Sequence, residues 1–173
     1  MTTYTEQDSS WPAEAGVRIA SARVARRWTD HNGHMNLAAY LMLFDRSFAR
    51  FCDRVGIGPK QLEQSGRTIF VAETHLVYRY ELALGEQVGV GLRVLALGSR
   101  KMHSYLSMVR LVDQQIVCIN EKMDLCVDLA SRRACVFPDA VAAHLQALHA
   151  RESTLPAPAW ASRRVEMSPQ RPA

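Results

Sequence analysis

The hydrophobic and polar positions of this chain follow a helical period first and a strand period later. Between Leu37 and Val55, apolar side chains recur at steps of three and four residues, which predicts a long helix with one buried face. Gly56 and the Gly58-Pro59 pair predict the end of this helix. Upstream of it, residues 17–28 predict a first strand.

From about residue 69 onward, alternate positions are apolar. This period of two predicts four long strands at residues 70–81, 87–97, 102–113 and 116–128. The short connections between them predict an antiparallel meander, because parallel strands need longer crossovers. Residues 138–151 predict a second helix on the surface.

This order of elements predicts an α+β fold, in which a curved antiparallel β-sheet wraps around one long central helix. We expect residues 1–15 to form a flexible N-terminal arm, residues 16–152 a single domain and residues 153–173 a C-terminal tail. Strands of this length leave the edges of the sheet open, so a homodimer or homotetramer is predicted.

Composition narrows the class of protein. The 173 residues are 48% hydrophobic with a net charge of +4, and the basic residues are scattered, which disfavours nucleic acid and permits a phosphate-bearing ligand. No leader and no run of eighteen apolar residues is visible, so we predict a cytoplasmic protein without membrane contact. The four cysteines form no C-x-x-C pair, which predicts reduced thiols rather than disulfides or a zinc site.

The candidate chemistry lies in the polar run Trp28-Thr-Asp-His-Asn-Gly-His-Met-Asn36, just before the long helix. It combines a carboxylate, Asp30, with a carboxamide, Asn32, a glycine, Gly33, and an imidazole, His34. A helix N-terminus presents free N–H groups and a partial positive charge, which can hold a thioester oxygen while a neighbouring carboxylate acts. The arrangement predicts a small acyl-transfer site.

The same motif resembles those of hotdog-fold thioesterases. Asp30-x-x-Gly33 resembles the aspartate loop of the 4-hydroxybenzoyl-CoA thioesterase type, and Asp30-x-Asn32-x-His34 with Asn36 resembles a segment of plant acyl-ACP thioesterases. Residues 70–80, the Gly85 turn, residues 100–103 and residues 128–138 resemble bacterial betainyl-CoA thioesterases of carnitine breakdown. The resemblance implies a hotdog fold and hydrolysis of a short acyl-CoA, with water as second substrate and no cofactor.

Each motif residue has a catalytic and a structural interpretation. Asp30 is our candidate general base or nucleophile, and the alternative for Asp30, or for Asn32, is capping of the helix. Asn32 and His34 would assist Asp30, although His34 could simply be a packed histidine. The backbone N–H groups of Gly33, His34 and Met35 are the predicted oxyanion hole.

Substrate-binding residues are predicted less directly. Trp28 and Tyr40 lie close in sequence to the motif, and four cations fall in predicted turns, where they could meet the phosphates of coenzyme A: Arg100, Lys101, Arg132 and Arg133. Further aromatic residues could join them in a cage for a trimethylammonium group or simply pack in the core: Phe44, Phe70, Tyr78 and Tyr105. Glu73 and Asp45 are rival carboxylates, and Glu121, on the apolar side of the last strand, suggests a subunit interface.

Other functions remain open from the sequence. A metal site at His31 and His34 lacks a third ligand with suitable spacing, so no metal is predicted. A hotdog hydratase would need a histidine five residues after the aspartate, where this chain has Met35. A module that binds acyl-CoA as a sensor, without catalysis, is the alternative from another class.

Overall fold

A computed structural model describes residues 9–163 and residue 165. The helices are α1 (Leu37–Val55), α2 (Leu62–Ser65) and α3 (Asp139–Glu152). The strands are β1 (Val17–Arg23), β2 (Arg67–Tyr78), β3 (Gln87–Leu97), β4 (Lys101–Arg110), β5 (Gln115–Asp128) and β6 (Arg133–Ala134).

The long helix has the bounds that the sequence predicts. Asn36 caps its N-terminus, because the Asn36 Oδ1 atom accepts a 2.9 Å hydrogen bond from the N–H of Ala38. Gly56 ends it in the left-handed conformation with φ 94°. Its apolar face is buried against the sheet, with Phe44 and Phe51 fully enclosed.

The sheet is antiparallel and runs in the order β1-β3-β4-β5-β2, with β6 paired to β5. The core cluster joins α1 to the inner side chains of β1, β3, β4 and β5. An α+β hotdog fold, the predicted class, is therefore confirmed.

The predicted meander of four consecutive strands is wrong, because β2 pairs with β5 instead of β3. Residues 79–86 carry the chain from β2, at one edge of the sheet, to β3, which lies next to β1 at the opposite edge, so the short turn seen in the sequence does not form a hairpin. This crossing segment is held by backbone hydrogen bonds: the C=O of Leu82 accepts the N–H of Met35, and the N–H of Gly85 donates to Val24. The segment therefore lies against the loop that contains Asp30.

Several predicted ends also shift. β1 ends at Arg23, and Arg26–Trp28 form a short 3₁₀ turn in which the N–H of Trp28 donates to the C=O of Ala25 at 2.9 Å. β4 ends at Arg110, three residues before the predicted end, where Arg110 pairs with Asp113 in the turn. The short elements α2 and β6 were not predicted.

The two segments outside the predicted domain have described parts that pack on the sheet. Trp11 and Ala15 are buried on its outer face together with Tyr105, and Trp160 packs beside them. Residues 1–8, 164 and 166–173 lie outside the described residues. Within residues 9–163, no helix is long and apolar enough to cross a membrane.

Candidate active site

A pocket of about 370 Å³ opens where the Asp30 loop, the first turn of α1 and the crossing segment meet. Its lining combines acidic, amide and aromatic side chains with one arginine: Asp30, Asn32, His34, Met35, Leu37, Tyr40, Tyr78, Arg79, Tyr80 and Glu81. The predicted catalytic residues thus share one pocket with residues that lie 40 to 50 positions away in the sequence.

Asp30 is held by a donor on each carboxylate oxygen. The N–H of Asn32 donates to Oδ1 at 2.8 Å, and the Nδ2 group of Asn36 donates to Oδ2 at 3.3 Å. The hydrogen bond from Asn32 holds the pKa of Asp30 below its usual value, with the Asn36 amide acting in the same direction. The carboxylate is therefore ionised at neutral pH.

Helix capping, the structural alternative for Asp30 and Asn32, is wrong. The cap of α1 is Asn36, whose Oδ1 atom accepts from the helix and whose Nδ2 group donates to Asp30. Asp30 lies six residues before the cap in the sequence. Gly33, at φ 81°, turns the loop back on itself, and the N–H of Asn36 donates to the C=O of Trp28 at 2.7 Å, so Asp30 comes close to Asn36. One side chain thus connects the start of the helix to the candidate catalytic carboxylate.

Two of the three donors predicted for an oxyanion hole are already used. The N–H of Gly33 donates to the C=O of Asp30 at 3.1 Å, and the N–H of Met35 donates to the C=O of Leu82 at 2.8 Å. The N–H of His34 has no hydrogen-bond acceptor among the described residues, and neither has that of Leu37 at the first position of α1. His34 and Leu37 both line the pocket, so their N–H groups are the candidate backbone donors there.

The His34 ring points to the crossing segment. Its Nε2 atom lies 3.9 Å from a carboxylate oxygen of Glu81, and its Nδ1 atom lies 3.4 Å from the C=O of Met35. Asn32 is exposed at the pocket mouth and reaches Asp30 through its backbone N–H. The geometry thus links His34 to Glu81, and the residue that contacts Asp30 from the helix side is Asn36.

The pocket contains three of the chain's tyrosines. The rings of Tyr40 and Tyr78 meet edge to face with centroids 5.4 Å apart, and the hydroxyl of Tyr40 donates to the C=O of Tyr80 at 3.4 Å. Burial raises the pKa of Tyr40 to about 12, so its hydroxyl stays protonated.

The other aromatic candidates lie elsewhere. Trp28 packs beside the core, and Phe44 and Tyr105 are fully buried. Phe70 is exposed on β2, under the guanidinium of Arg132 at 5.4 Å. None of the four lines the pocket.

The turn cations predicted for coenzyme A lie at the other end of the sheet. Tyr78 on β2 and Met108 on β4 both pair with Cys118 of β5, so Met108 lies level with the pocket. Lys101 lies seven residues farther along β4. At about 3.4 Å per residue this is about 24 Å. Arg100, Arg132 and Arg133 share that distant end, in the turns next to Lys101 and Asp128. In one chain they therefore do not contact the pocket.

The rival carboxylates are outside the pocket as well. Asp45 lines a neighbouring groove between α1 and β2, and Glu73 is exposed on the outer face. Glu121 also lies on the outer face, where it accepts hydrogen bonds from His103 and from the N–H of Ser162, each at 2.7 Å. A segment of the same chain therefore covers Glu121.

Sequence reasoning missed Asn36 as a partner of Asp30, and it missed residues 79–81. Asn36 was visible inside the motif, at the position where a cap is expected. Residues 79–81 carried no local signal, because they reach the pocket only through the pairing of β2 with β5.

Comparison with known proteins supports the resemblance. The sequence profile of the thioesterase-like superfamily matches residues 24–145. The chain is 28% identical to a betainyl-CoA thioesterase of Pseudomonas aeruginosa, covering 86% of this chain and 93% of that protein. It is 26% identical to the L-carnitine dehydrogenase/betainyl-CoA thioesterase of Rhizobium meliloti, of which it spans only 31%.

A similar solved structure is a hypothetical protein of Staphylococcus aureus in complex with CoA. Its TM-score is 0.82 at 24% identity, and the match covers 87% of this chain and 96% of that one. The fold agrees with the sheet and central helix described above. The chain belongs to the thioesterase-like superfamily and is a thioester hydrolase.

Proposed function

We propose that this protein hydrolyses a short, cationic acyl-CoA of the betainyl type to the free acid and CoA. The observation that carries the proposal is a single pocket in which an ionised carboxylate, two free backbone N–H groups and three tyrosines meet. The names of the relatives from Pseudomonas aeruginosa and Rhizobium meliloti point to the same substrate.

In the proposed reaction, Asp30 acts as general base, taking a proton from the water that attacks the thioester carbon, or as nucleophile on that carbon, giving a mixed anhydride that water then cleaves. On either route the C–S bond breaks and the CoA thiolate leaves and takes up a proton. Both roles need the ionised carboxylate, and the hydrogen bonds from Asn32 and Asn36 favour that form. The thioester oxygen would accept from the N–H groups of His34 and Leu37, next to the positive end of the α1 dipole. Each N–H group is fixed in advance, so it costs little reorganisation as negative charge develops.

The acyl group is inferred from the walls of the pocket. In a betainyl thioester, the trimethylammonium group is separated from the carbonyl carbon by one methylene, so it must lie next to Asp30. Tyr40, Tyr78 and Tyr80 line the pocket there. Glu81 adds a negative charge that opposes the positive charge of Arg79, which lies 5.5 Å from the Tyr80 ring. Aromatic rings attract a desolvated cation by about 2 kcal/mol, which corresponds to roughly 30-fold in affinity.

The test compares betainyl-CoA with 3,3-dimethylbutanoyl-CoA, in which carbon replaces the quaternary nitrogen at nearly equal shape. We expect kcat/KM, followed as release of free thiol, to be at least about 30-fold higher for the cation, because attraction by the aromatic rings adds to the activation of the carbonyl by the neighbouring ammonium group. Equal values would reduce the proposal to a general short-chain thioesterase. No thiol release from any acyl-CoA of a panel would favour the alternative, a non-catalytic binding module.

We also propose that the protein is a homodimer or homotetramer located in the cytoplasm. β2 is an edge strand with exposed apolar side chains, namely Phe70, Val71 and Tyr78, and such an edge favours pairing with a second copy. Sedimentation at micromolar concentration should give at least twice the 19.4 kDa mass of the chain. A monomeric mass would contradict this part of the proposal.

A further inference from the structure

The segment after α3 follows a fixed path across the outer face of the sheet. Arg93, which is only 2% exposed, donates to the C=O groups of Glu152, Leu155 and Pro156. Farther on, the N–H of Ser162 donates to Glu121. The segment predicted to be a tail is therefore attached at both ends of residues 153–163.

This path brings two arginines onto one tryptophan. The guanidinium carbon of Arg79 lies 4.6 Å from the ring centroid of Trp160, and that of Arg163 lies 4.7 Å from it. Arg79 also lies 5.5 Å from the ring of Tyr80, and its Nη1 group makes one long hydrogen bond, of 3.4 Å, to the C=O of Ile116. Stacking on aromatic rings orients the planar guanidinium groups and leaves further N–H groups at their edges for a ligand.

Neither arginine has a carboxylate partner in the described part of the chain. Glu73 and Glu121 line the same outer-face pocket as Arg163, but neither forms an ion pair with the two arginines. Glu121 instead accepts hydrogen bonds from His103 and from the N–H of Ser162. Two neighbouring cations repel each other, and a bound anion removes this repulsion. Arginine pairs of this kind suit phosphate, because the guanidinium edge matches two phosphate oxygens.

The two arginines lie one after the other on a path from the candidate active site to the outer face of the sheet. Arg79 lines the Asp30 pocket, and Arg163 lines a second pocket of about 310 Å³ on the outer face, beside Ser162 and His103. A thioester carbonyl at Asp30 is joined to the phosphates of CoA by the extended pantetheine arm. The phosphates must therefore lie away from Asp30, and the side of the pocket where Arg79 meets Trp160 and Arg163 is the place proposed for them.

We propose that Arg79 and Arg163, held by Trp160, bind the phosphate groups of the CoA part of the substrate. This inference rests on the proposed function. It gives Arg79 and Arg163, which we call the rim arginines, the phosphate-binding role that sequence analysis assigned to the cations in the distant turns. Trp160 is a positioning residue in this arrangement, since it acts through the two arginines.

The first experiment measures binding of CoA to the full chain by calorimetry. Arg79→Ala and Arg163→Ala should each weaken binding about ten-fold, the usual scale for a charge-assisted contact. Arg18→Ala is the matched control. Arg18 lies on β1, at the opposite edge of the sheet, and its guanidinium carbon lies 5.3 Å from the ring centroid of Trp11. Unchanged CoA binding in both rim variants, or an equal loss in Arg18→Ala, would overturn the proposal.

A second arm separates CoA from free phosphate. Adenosine 3′,5′-bisphosphate should bind at least about ten-fold more tightly than inorganic phosphate and should depend on the same two arginines. Equal binding of the two probes would indicate a general anion site and would overturn the assignment to CoA.

The role of Trp160 has its own readout. Trp160→Ala should lower the ratio of kcat/KM for an acyl-CoA to that for the matching acyl-pantetheine, which lacks the nucleotide, whereas Trp160→Phe should largely restore the ratio. A ratio equal to that of the parent chain in Trp160→Ala would contradict the positioning role. If the parent chain binds CoA through the arginines but releases no thiol, the proposed hydrolysis fails and the binding inference stands.

Discussion

The two halves of the candidate active site are built in different ways. The contacts that position Asp30 itself join residues at most eight positions apart, namely the hydrogen bonds from Asn32 and Asn36 to Asp30 and from the N–H of Asn36 to Trp28. The crossing segment, residues 79–86, contributes Tyr80 and Glu81 only because β2 pairs with a strand about 40 residues later. One half is therefore set by local sequence and the other by topology.

This difference suggests a division of work. The local half contains the carboxylate and the free N–H groups, which any thioester hydrolase of this arrangement needs. The crossing segment contains aromatic and acidic side chains that contact the acyl group in our proposal. We therefore expect substitutions in the loop to change the rate for every substrate, and substitutions in the crossing segment to change which substrate is preferred.

The largest expected effect is at Asp30. Asp30→Asn should lower kcat at least ~100-fold for every acyl-CoA tested, because the amide cannot take a proton at neutral pH or form an anhydride. The free energy of unfolding should change little, since the cap of α1 is Asn36 and the side-chain oxygen of the introduced amide can still accept from the N–H of Asn32. The hydrogen bond that is lost is the longer one, of 3.3 Å, from the Nδ2 group of Asn36.

Glu63→Gln is the control for Asp30→Asn, because Glu63 is an exposed carboxylate on α2 that lines neither the Asp30 pocket nor the pocket beside Arg163. It should keep parental turnover. Retained activity in Asp30→Asn would show that Asp30 is not the catalytic carboxylate, and Glu73 or Asp45 would then be the candidates.

The sequence predicted the long helix and the position of the polar loop before it, and it missed the crossing segment, for physical reasons. The helix from Leu37 to Val55 follows from its own apolar period, and the motif before it could be interpreted without knowing any partner. The crossing segment resembled a hairpin turn, since Gly85 allows one, and nothing nearby reveals that β2 prefers β5.

Dependence on the folded topology also explains why sequence analysis selected the wrong cations for phosphate binding. Lysine and arginine in the turns at residues 100–101 and 132–133 looked suited to phosphate, but the length of β4 separates them from Asp30. Arg79 and Arg163 carried no turn signal, and only the folded path of the C-terminal segment brings both to Trp160.

The next largest effect concerns substrate choice. Tyr80→Leu should lower the preference for betainyl-CoA over 3,3-dimethylbutanoyl-CoA about ten-fold, because the leucine keeps apolar contact and loses the aromatic face. Glu81→Gln should lower it by a smaller factor, since exposed charges are screened. The measurement is the ratio of the two kcat/KM values. Equal losses for both substrates would show that the crossing segment serves catalysis in general.

Asn36→Asp tests how the helix start acts on Asp30. Aspartate caps a helix about as well as asparagine, so stability should hold, but the new carboxylate replaces a donor to Asp30 with a negative charge. A like charge disfavours ionisation and raises the pKa of Asp30, which is normally held low by the Asn32 N–H. Activity needs the ionised form, so the acidic limb of the kcat/KM profile should move to higher pH by about one unit. An unshifted limb would exclude Asp30 as the titrating group.

The smallest effect comes from a matched pair of glycines, one in each half. Gly33 has φ 81° and Gly85 has φ 87°, and an added Cβ meets no atom within 4 Å at either position. Replacement by alanine therefore costs only the left-handed conformation, about 1 kcal/mol, which lowers Tm by about 2–4 °C in a domain of this size. We expect the same Tm shift in Gly33→Ala and Gly85→Ala, measured by thermal unfolding.

Only Gly33→Ala should also lower kcat, by a few-fold, because the turn at Gly33 sets the positions of Asp30 and of the His34 N–H. An equal loss of kcat in both variants would mean that the crossing segment controls the carboxylate as strongly as the loop does.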